Sequence, residues 1–341
     1  MLAESHLLPA GKLPLSLLER LLTRFAPHDP RIIVGPRTGE DSAVFDFGDR
    51  YLIAKTDPIT FATNQIGWYA VNVNANDVAV MGGEPRWFLA TVLLPAGQAT
   101  AELAEAIFAQ IHDACEALGV SLAGGHTEIT LNLDRPIVSG TMLGEVTPER
   151  LITTAGARVG DAVLLVKPVP IEGTALIALE RAGALRERGY SPAFIERAQG
   201  FLHEPGISVV AAARLAAATA EVHAMHDPTE GGVMTGLLEI ARAAGTGLAV
   251  DLDAIPVLME AATLCREFGL DPLGTIASGS ILLTALASAA PKLVAVLGAA
   301  GYPTARIGCV TRPEDGLIAT RAGERVPWPS YAADEITKLF A

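Results

Sequence analysis

The stretch NANDVAVMGGEPRW, residues 74–87, limits what this 341-residue chain can fold into more than any other segment. On a helical wheel Trp68, Val71, Ala75 and Val78 share one face. Asp77 points the other way, yet its neighbours there are Ala70, Val73, Val80 and Met81. A helix that is apolar on both sides is a buried helix. An unpaired carboxylate inside it costs on the order of several kcal/mol or is protonated, so Asp77 needs a partner. The nearest downstream basic residue is Arg86, and a metal ion is the economical alternative. The plainer reading is an Asp near the helix end that hydrogen-bonds locally, with Gly82-Gly83 as C-cap and turn.

Two more carboxylates favour the ion. The segment GEDSAVFDFGDRYLIAKTDPIT predicts a hairpin of Ser42–Phe47 and Tyr51–Thr56 around a Gly48-Asp49 turn. Asp41 and Asp57 each lie eight residues from Asp49. A turn centred there sets them opposite one another, with Cβ atoms about 4.5–5.5 Å apart. Like charges that close repel unless a cation lies between them. Oxygen ligands without histidine or cysteine favour Mg²⁺. Asp41, Asp57 and Asp77 are therefore the expected metal ligands.

The rest of the chain reads as layered strands and helices. Leucines at helical spacing mark 13–25, and further helices are expected at 67–81 and 100–118, the latter stopped by Gly119. VSLAGG and PIVSGTMLGEV read as strands. Composition shifts at TPERLITTAGARVGD, which places a domain boundary near 155 and gives units 1–155 and 156–341. Beyond it AVLLVKP, EVHAMHD, LAVDL, SILLTAL and ARIGCV are strand-like. They alternate with alanine-rich helices near 172–184, 207–219, 231–244, 256–268 and 290–300, which argues for a mixed α/β architecture.

Composition narrows the function. A net charge of −13 without a Lys/Arg run disfavours nucleic acid and anionic membrane as partners. A local metal or amide site can still bind an anion such as ATP. The opening MLAESHLLPAGKLP lacks the basic start and apolar core of a leader, and no run approaches the roughly 20 apolar residues of a membrane span. Cys115, Cys265 and Cys309 form no pair pattern. The expectation is a reduced, cytoplasmic protein.

Two glycine-rich motifs remain. AGGHTE (123–128) lets the backbone approach a ligand and turn its amides to an anion, or is a tight turn with solvated His126 and Glu128. HDPTEGG (226–232) precedes a helix and suits an anion or metal–phosphate site, unless Asp227 or Thr229 is a plain N-cap. There is no GxxxxGK[ST], no strand-linked GxGxxG and no GxSxG, so a P-loop, a dinucleotide fold and an α/β-hydrolase are disfavoured.

Together GEDSAV, KTDPIT, GWYAVNVNANDVAVMGGEPRWFLATVLLP, AGGHTEIT and HDPTEGGV occur in one order across both halves. The set resembles the aminoimidazole ribonucleotide synthetase (PurM-like) superfamily, and the 67–95 block is nearest to its HypE-like hydrogenase-maturation members. The resemblance implies an α+β (mixed α/β), two-domain fold. Its N-terminal domain pairs across a homodimer into a β-barrel, beside a C-terminal α/β domain. It implies ATP and Mg²⁺, with Asp41, Asp57 and Asp77 on the metal and Asp77, Asp227 and Glu128 in catalysis. Lys55, Thr56, Asn76, Gly124, Gly125, His126, Thr127, Thr229, Gly231 and Gly232 would line the nucleotide. The implied chemistry is phosphorylation of a carbonyl or amide oxygen on a small or protein-borne acceptor. A thiamine-monophosphate-kinase type of transfer and a non-catalytic ATP-binding maturation partner are the alternatives. HypE proteins end in a cysteine-bearing tail, whereas this sequence ends YAADEITKLFA, with no cysteine after Cys309.

Overall fold

A computed structural model describes residues 12–340 apart from positions 14, 25, 26, 28 and 61. The leader reading of residues 1–11 lies outside the described residues. The first half runs α1 (Leu15–Arg24), β1 (Ile32–Val34), β2 (Ala43–Asp46), β3 (Tyr51–Ile59), α2 (Ile66–Val80), β4 (Glu84–Pro95), α3 (Ala101–Leu118), β5 (Ser121–Thr130) and β6 (Ile137–Val146). Its six strands form one sheet in the order β1-β2-β3-β6-β4-β5, antiparallel except for the β4–β5 pair.

The second half runs β7 (Asp161–Val166), α4 (Ile171–Glu180), α5 (Ala182–Glu187), α6 (Pro192–Gln199), α7 (Val210–Thr219), β8 (Val222–His226), α8 (Gly232–Ala244), β9 (Gly247–Asp251), α9 (Met259–Phe268), β10 (Ile281–Leu286), α10 (Ala290–Ala299), β11 (Thr304–Thr311), β12 (Leu317–Arg321) and β13 (Glu324–Val326). Seven strands form a second sheet, β13-β12-β9-β11-β7-β10-β8. Its interior strand β7, between β11 and β10, is buried at every residue, and its sequence DAVLLV carries one charge, on the first residue. The fold is mixed α/β. No helix among the described residues is long and apolar enough to cross a membrane.

Local chemistry explains the element ends. Thr100 accepts from the Leu103 amide to start α3, and Gly119 stops it in the left-handed region, φ 67°. Helix α2 is buried along its whole length except at Trp68. One flank lies on β3 and β6 and the other meets α7 of the second half. Val71, Ala75 and Val78 thus share one apolar core with Val209, Val210 and Ala213. This double packing is why the helix carries apolar residues all round. The free thiols sit in α3, α9 and β11, and burial pushes the Cys115 thiol up to about 11.

Glu172, in the first turn of α4, is a cost built into this half. It is 5% exposed, and its Oε2 has no hydrogen-bond partner among the described residues. Burial pushes its carboxyl up to about 7 from the ordinary 4.5. Between those values the unfolded chain ionises Glu172 while the folded chain keeps its proton. Folding therefore takes up a proton, and stability falls as pH rises through that window. Glu172→Gln removes the penalty. Urea melts are expected to show it more stable than the parent by about 2–3 kcal/mol at pH 8 and equal to it at pH 4.

Candidate active site: a buried carboxylate cluster

Asp77 reaches its place because α2 lies close on β6. A Cβ at Gly144 would strike the Val78 side chain and the Glu84 carbonyl, so only glycine allows this approach. Alternation in β3 then aims Lys55 and Asp57 at α2 and Thr56 away from it. Lys55 Nζ is 3.1 Å from Asp77 Oδ1 and 3.4 Å from Asp57 Oδ2. The expectation that Asp77 lacks a basic partner is corrected: Lys55, far back in sequence, supplies one. Thr56 does not flank the site either. Its hydroxyl donates to the Gly140 carbonyl at 2.8 Å and faces Thr141 on the other side of the sheet.

The hairpin register is also corrected. Phe45 pairs with Leu52 and Asp46 with Tyr51, closing a turn of Phe47 to Arg50. Extended outward, this register sets Thr56, not Asp57, level with Asp41. Asp41 instead turns to the second half. Its Oδ1 is 2.6 Å from His226 Nδ1, and its Oδ2 accepts from the Thr154 hydroxyl at 3.1 Å. His226 Nε2 is 2.9 Å from Glu239 Oε2 on α8. Lys12 donates to Thr229 Oγ1 at 3.1 Å and lies 3.8 Å from Glu239.

Electrostatics in the cluster follow from burial and these pairings. Asp77, 4% exposed at its side chain, is pushed up to about 7 by burial, against the pull of Lys55. Asp227 is raised well above the carboxylate range by burial and by nearby Asp77 and Asp41. Burial works against a charged His226, but Asp41 and Glu239 hold its proton and raise it well above 6.5. Burial likewise opposes ionised Glu239, yet Lys12 and His226 bring it down to about 2.

The donor set suits a hard cation. Among the described residues, Asp77 Oδ2 and both oxygens of Asp227 are buried without any hydrogen-bond donor. Carboxylate oxygens accept only, so orphaned ones call for a positive partner. One ligand atom each of Asp41, His226 and Asp227 lies within 4.8 Å of the others. His226 is the weak member of that trio, because both ring nitrogens already face carboxylates. An ion here belongs to the aspartates, as oxygen-seeking Mg²⁺ requires.

The two glycine motifs differ from expectation. AGGHTE is not a loop but the middle of β5, a sheet-edge strand exposed from Ser121 to Ile129. A Cβ on Gly125, φ 149°, would strike the Ala90 carbonyl, so its glycine serves strand pairing. Gly124 sits at a bulge, and His126 and Glu128 form an exposed pair at 3.5 Å. None of Gly124, Gly125, His126, Thr127 or Glu128 shows a contact with the aspartate cluster among the described residues. In HDPTEGG neither Asp227 nor Thr229 is the N-cap; α8 is capped by Gly231 without a side-chain bond. The Gly231 amide donates to the Asp334 carboxylate and the Gly232 amide to the Thr229 carbonyl, so neither amide is free for a bound anion. Asn76 is likewise not free for a ligand. It donates to the Ile207 carbonyl and accepts from the Val209 amide, both at 2.8 Å.

Sequence reasoning missed His226, Glu239 and Lys12 as members of the site. The only signal was the histidine beside Asp227, which reads like any pre-helix residue. A cleft of about 1170 Å³ lined by Arg50, Arg150 and Arg158 contains none of the cluster residues.

Two family models match the chain: AIR synthase related protein, N-terminal domain, over residues 39–146, and AIR synthase related protein, C-terminal domain, over 158–319. The carbamoyl dehydratase HypE of Cupriavidus necator is 31% identical over 278 residues, covering 79% of this chain and 75% of that one. Among solved structures, HypE in complex with ATP superposes with a TM-score of 0.65 at 24% identity, covering 91% of this chain and 92% of that one. AaThiL complexed with AMPPCP and TMP does so with a TM-score of 0.70 at 21% identity, over 93% and 94%. With its fold, its paired halves and its central aspartates in place, the chain belongs to the AIR synthase related family of enzymes.

Proposed function

We propose that the chain uses MgATP to phosphorylate a carbonyl or amide oxygen of a small or protein-borne acceptor. The observation that carries this is the buried meeting of Asp77 and Asp41 from the first half with Asp227 from the second, with three oxygens left without donors. Asp41, Asp77 and Asp227 would hold Mg²⁺, with Asp57 at the rim. The ion, when bound, neutralises phosphate charge in a reaction that needs neutralisation and in-line placement more than a nucleophile. Lys55 keeps its charge against burial because Asp77 and Asp57 face it, and it offers that charge to an incoming phosphate. The His226 bridge joins Asp41 to Glu239 and fixes one aspartate against the half that carries Asp227.

Units 1–155 and 156–341 each contribute side chains to this site, and two copies pair through β5. That edge is open along its length and exposes Leu122, with Ile129 and Leu131 at its end. A long unpaired edge with apolar side chains is a pairing surface. The AGGHTE residues would then complete a nucleotide site only in the dimer.

Calorimetry with ATP in the presence of Mg²⁺ is expected to show binding that EDTA abolishes. Phosphate release should rise with one member of an acceptor panel of carbamoyl, amide and phosphorylated compounds. Stimulation by thiamine monophosphate alone would assign the kinase type of transfer instead. No MgATP binding at millimolar nucleotide would end the proposal.

A further inference from the structure

We infer that Asp334 is a positioning residue for the 227–232 loop, so that the C-terminal segment is a working part of the aspartate site. The inference rests on the MgATP reading above. Asp334 is 5% exposed, and backbone amides from three places converge on its carboxylate. Gly231 donates to Oδ2 at 2.5 Å, and Ile276 and Ile336 donate to Oδ1 at 3.2 and 2.8 Å. Gly231 is the left-handed N-cap of α8, so the positive end of that helix already holds an anion, the chain's own.

The segment around Asp334 is tied down independently. Tyr331 donates to Asp271 Oδ2 at 2.8 Å, and its ring lies against Gly274. Glu335 accepts from the Asp271 amide at 3.0 Å. Ile336 and Leu339 are buried in a core shared with Leu176 and Leu264. The 271–277 loop so anchored reaches the site as well, since the Ala277 amide donates to the Thr229 carbonyl. Asp334 thus fixes both neighbours of one turn. Asp227, whose carboxylate has no hydrogen-bond partner among the described residues, and Thr229 are placed by that turn.

The test uses the full chain with Asp334→Ala, Asp334→Asn and Thr337→Ala. Thr337 donates to the Asp334 carbonyl at 2.7 Å, so its loss loosens the same segment without touching the loop. Calorimetry is expected to show MgATP affinity about tenfold lower in Asp334→Ala, the equivalent of one lost charged hydrogen bond. Asp334→Asn should fall between, and Thr337→Ala should melt lower with unchanged affinity. Hydrogen exchange at the Gly231 and Ile276 amides should quicken in both Asp334 variants. If Asp334→Ala does not fold, Asp334→Asn carries the comparison. Unchanged affinity in the Asp334 variants, or an equal loss in Thr337→Ala, overturns the inference. A parent chain that binds no MgATP overturns the functional reading instead. Exchange at Gly231 then decides alone, and unchanged rates there refute the positioning role of Asp334.

Discussion

Asp77→Asn is expected to give a protein that melts higher than its parent at pH 8 and binds MgATP at least about a hundredfold more weakly. The two effects have one cause. The parent carboxylate, on α2 itself, is buried with one oxygen unpaired among the described residues, and burial pushes it up to about 7 from the ordinary 3.8, so at pH 8 the folded chain carries a charge that the unfolded chain carries at less cost. A neutral amide of the same shape removes that cost, about 1–3 kcal/mol after allowance for the lost Lys55 contact. It also removes the negative oxygen that a cation needs. Thermal melts with and without MgATP read both at once. The parent should gain about 2.7 kcal/mol at a hundred times its dissociation constant, and the variant should gain no more than about 0.4 kcal/mol at the same concentration. A variant that is stabilised by MgATP as the parent is would remove Asp77 from the site.

The second large effect concerns His226. Replacing it with alanine leaves Asp41 and Glu239 buried without the cation that joined them, and Lys12, 3.8 Å from Glu239, pairs with only one of the two. Their side chains are 6% and 8% exposed. Removing one partner of a buried ion pair costs about 3–5 kcal/mol, because the other charge stays behind. His226→Ala should lose that much stability in chemical denaturation at pH 7. Adding Glu239→Gln should recover a large part of it, as expected for groups that share one interaction. Mg²⁺ should also stabilise His226→Ala more than it stabilises the parent. Additive losses in the double variant would show that the histidine acts through packing alone.

These residues also mark how far the sequence could be read. The buried helix was legible because Val71, Ala75 and Val78 on one face and Ala70 and Val73 on the other leave it no solvent side. Strands such as AVLLVKP and the helix ended by Gly119 were legible because their cues are local. The hairpin register was not, since one residue more or less in the Phe47–Arg50 turn shifts which residue stands level with Asp41. AGGHTE looked like a turn because two glycines dominate it. In the fold its second glycine, Gly125, relieves a close strand pairing, which depends on β4 some 35 residues earlier. His226, Glu239 and Lys12 enter the site through contacts that cross from one half to the other, and no spacing rule carries that information. The same holds for Asn76, whose place beside Asp77 suggested a ligand role that its two bonds to the 207–209 backbone exclude.

Helix α2 has one more consequence. The halves are distinct in sheet topology but not in autonomy. A fragment cut at the crossing would keep α2 and present to water the flank that α7 now covers, together with the unanswered amide of Asn76. Such a piece would clump rather than stand alone. Swapping one half for a relative's would demand matched changes along that flank, so the two parts must have diverged in step.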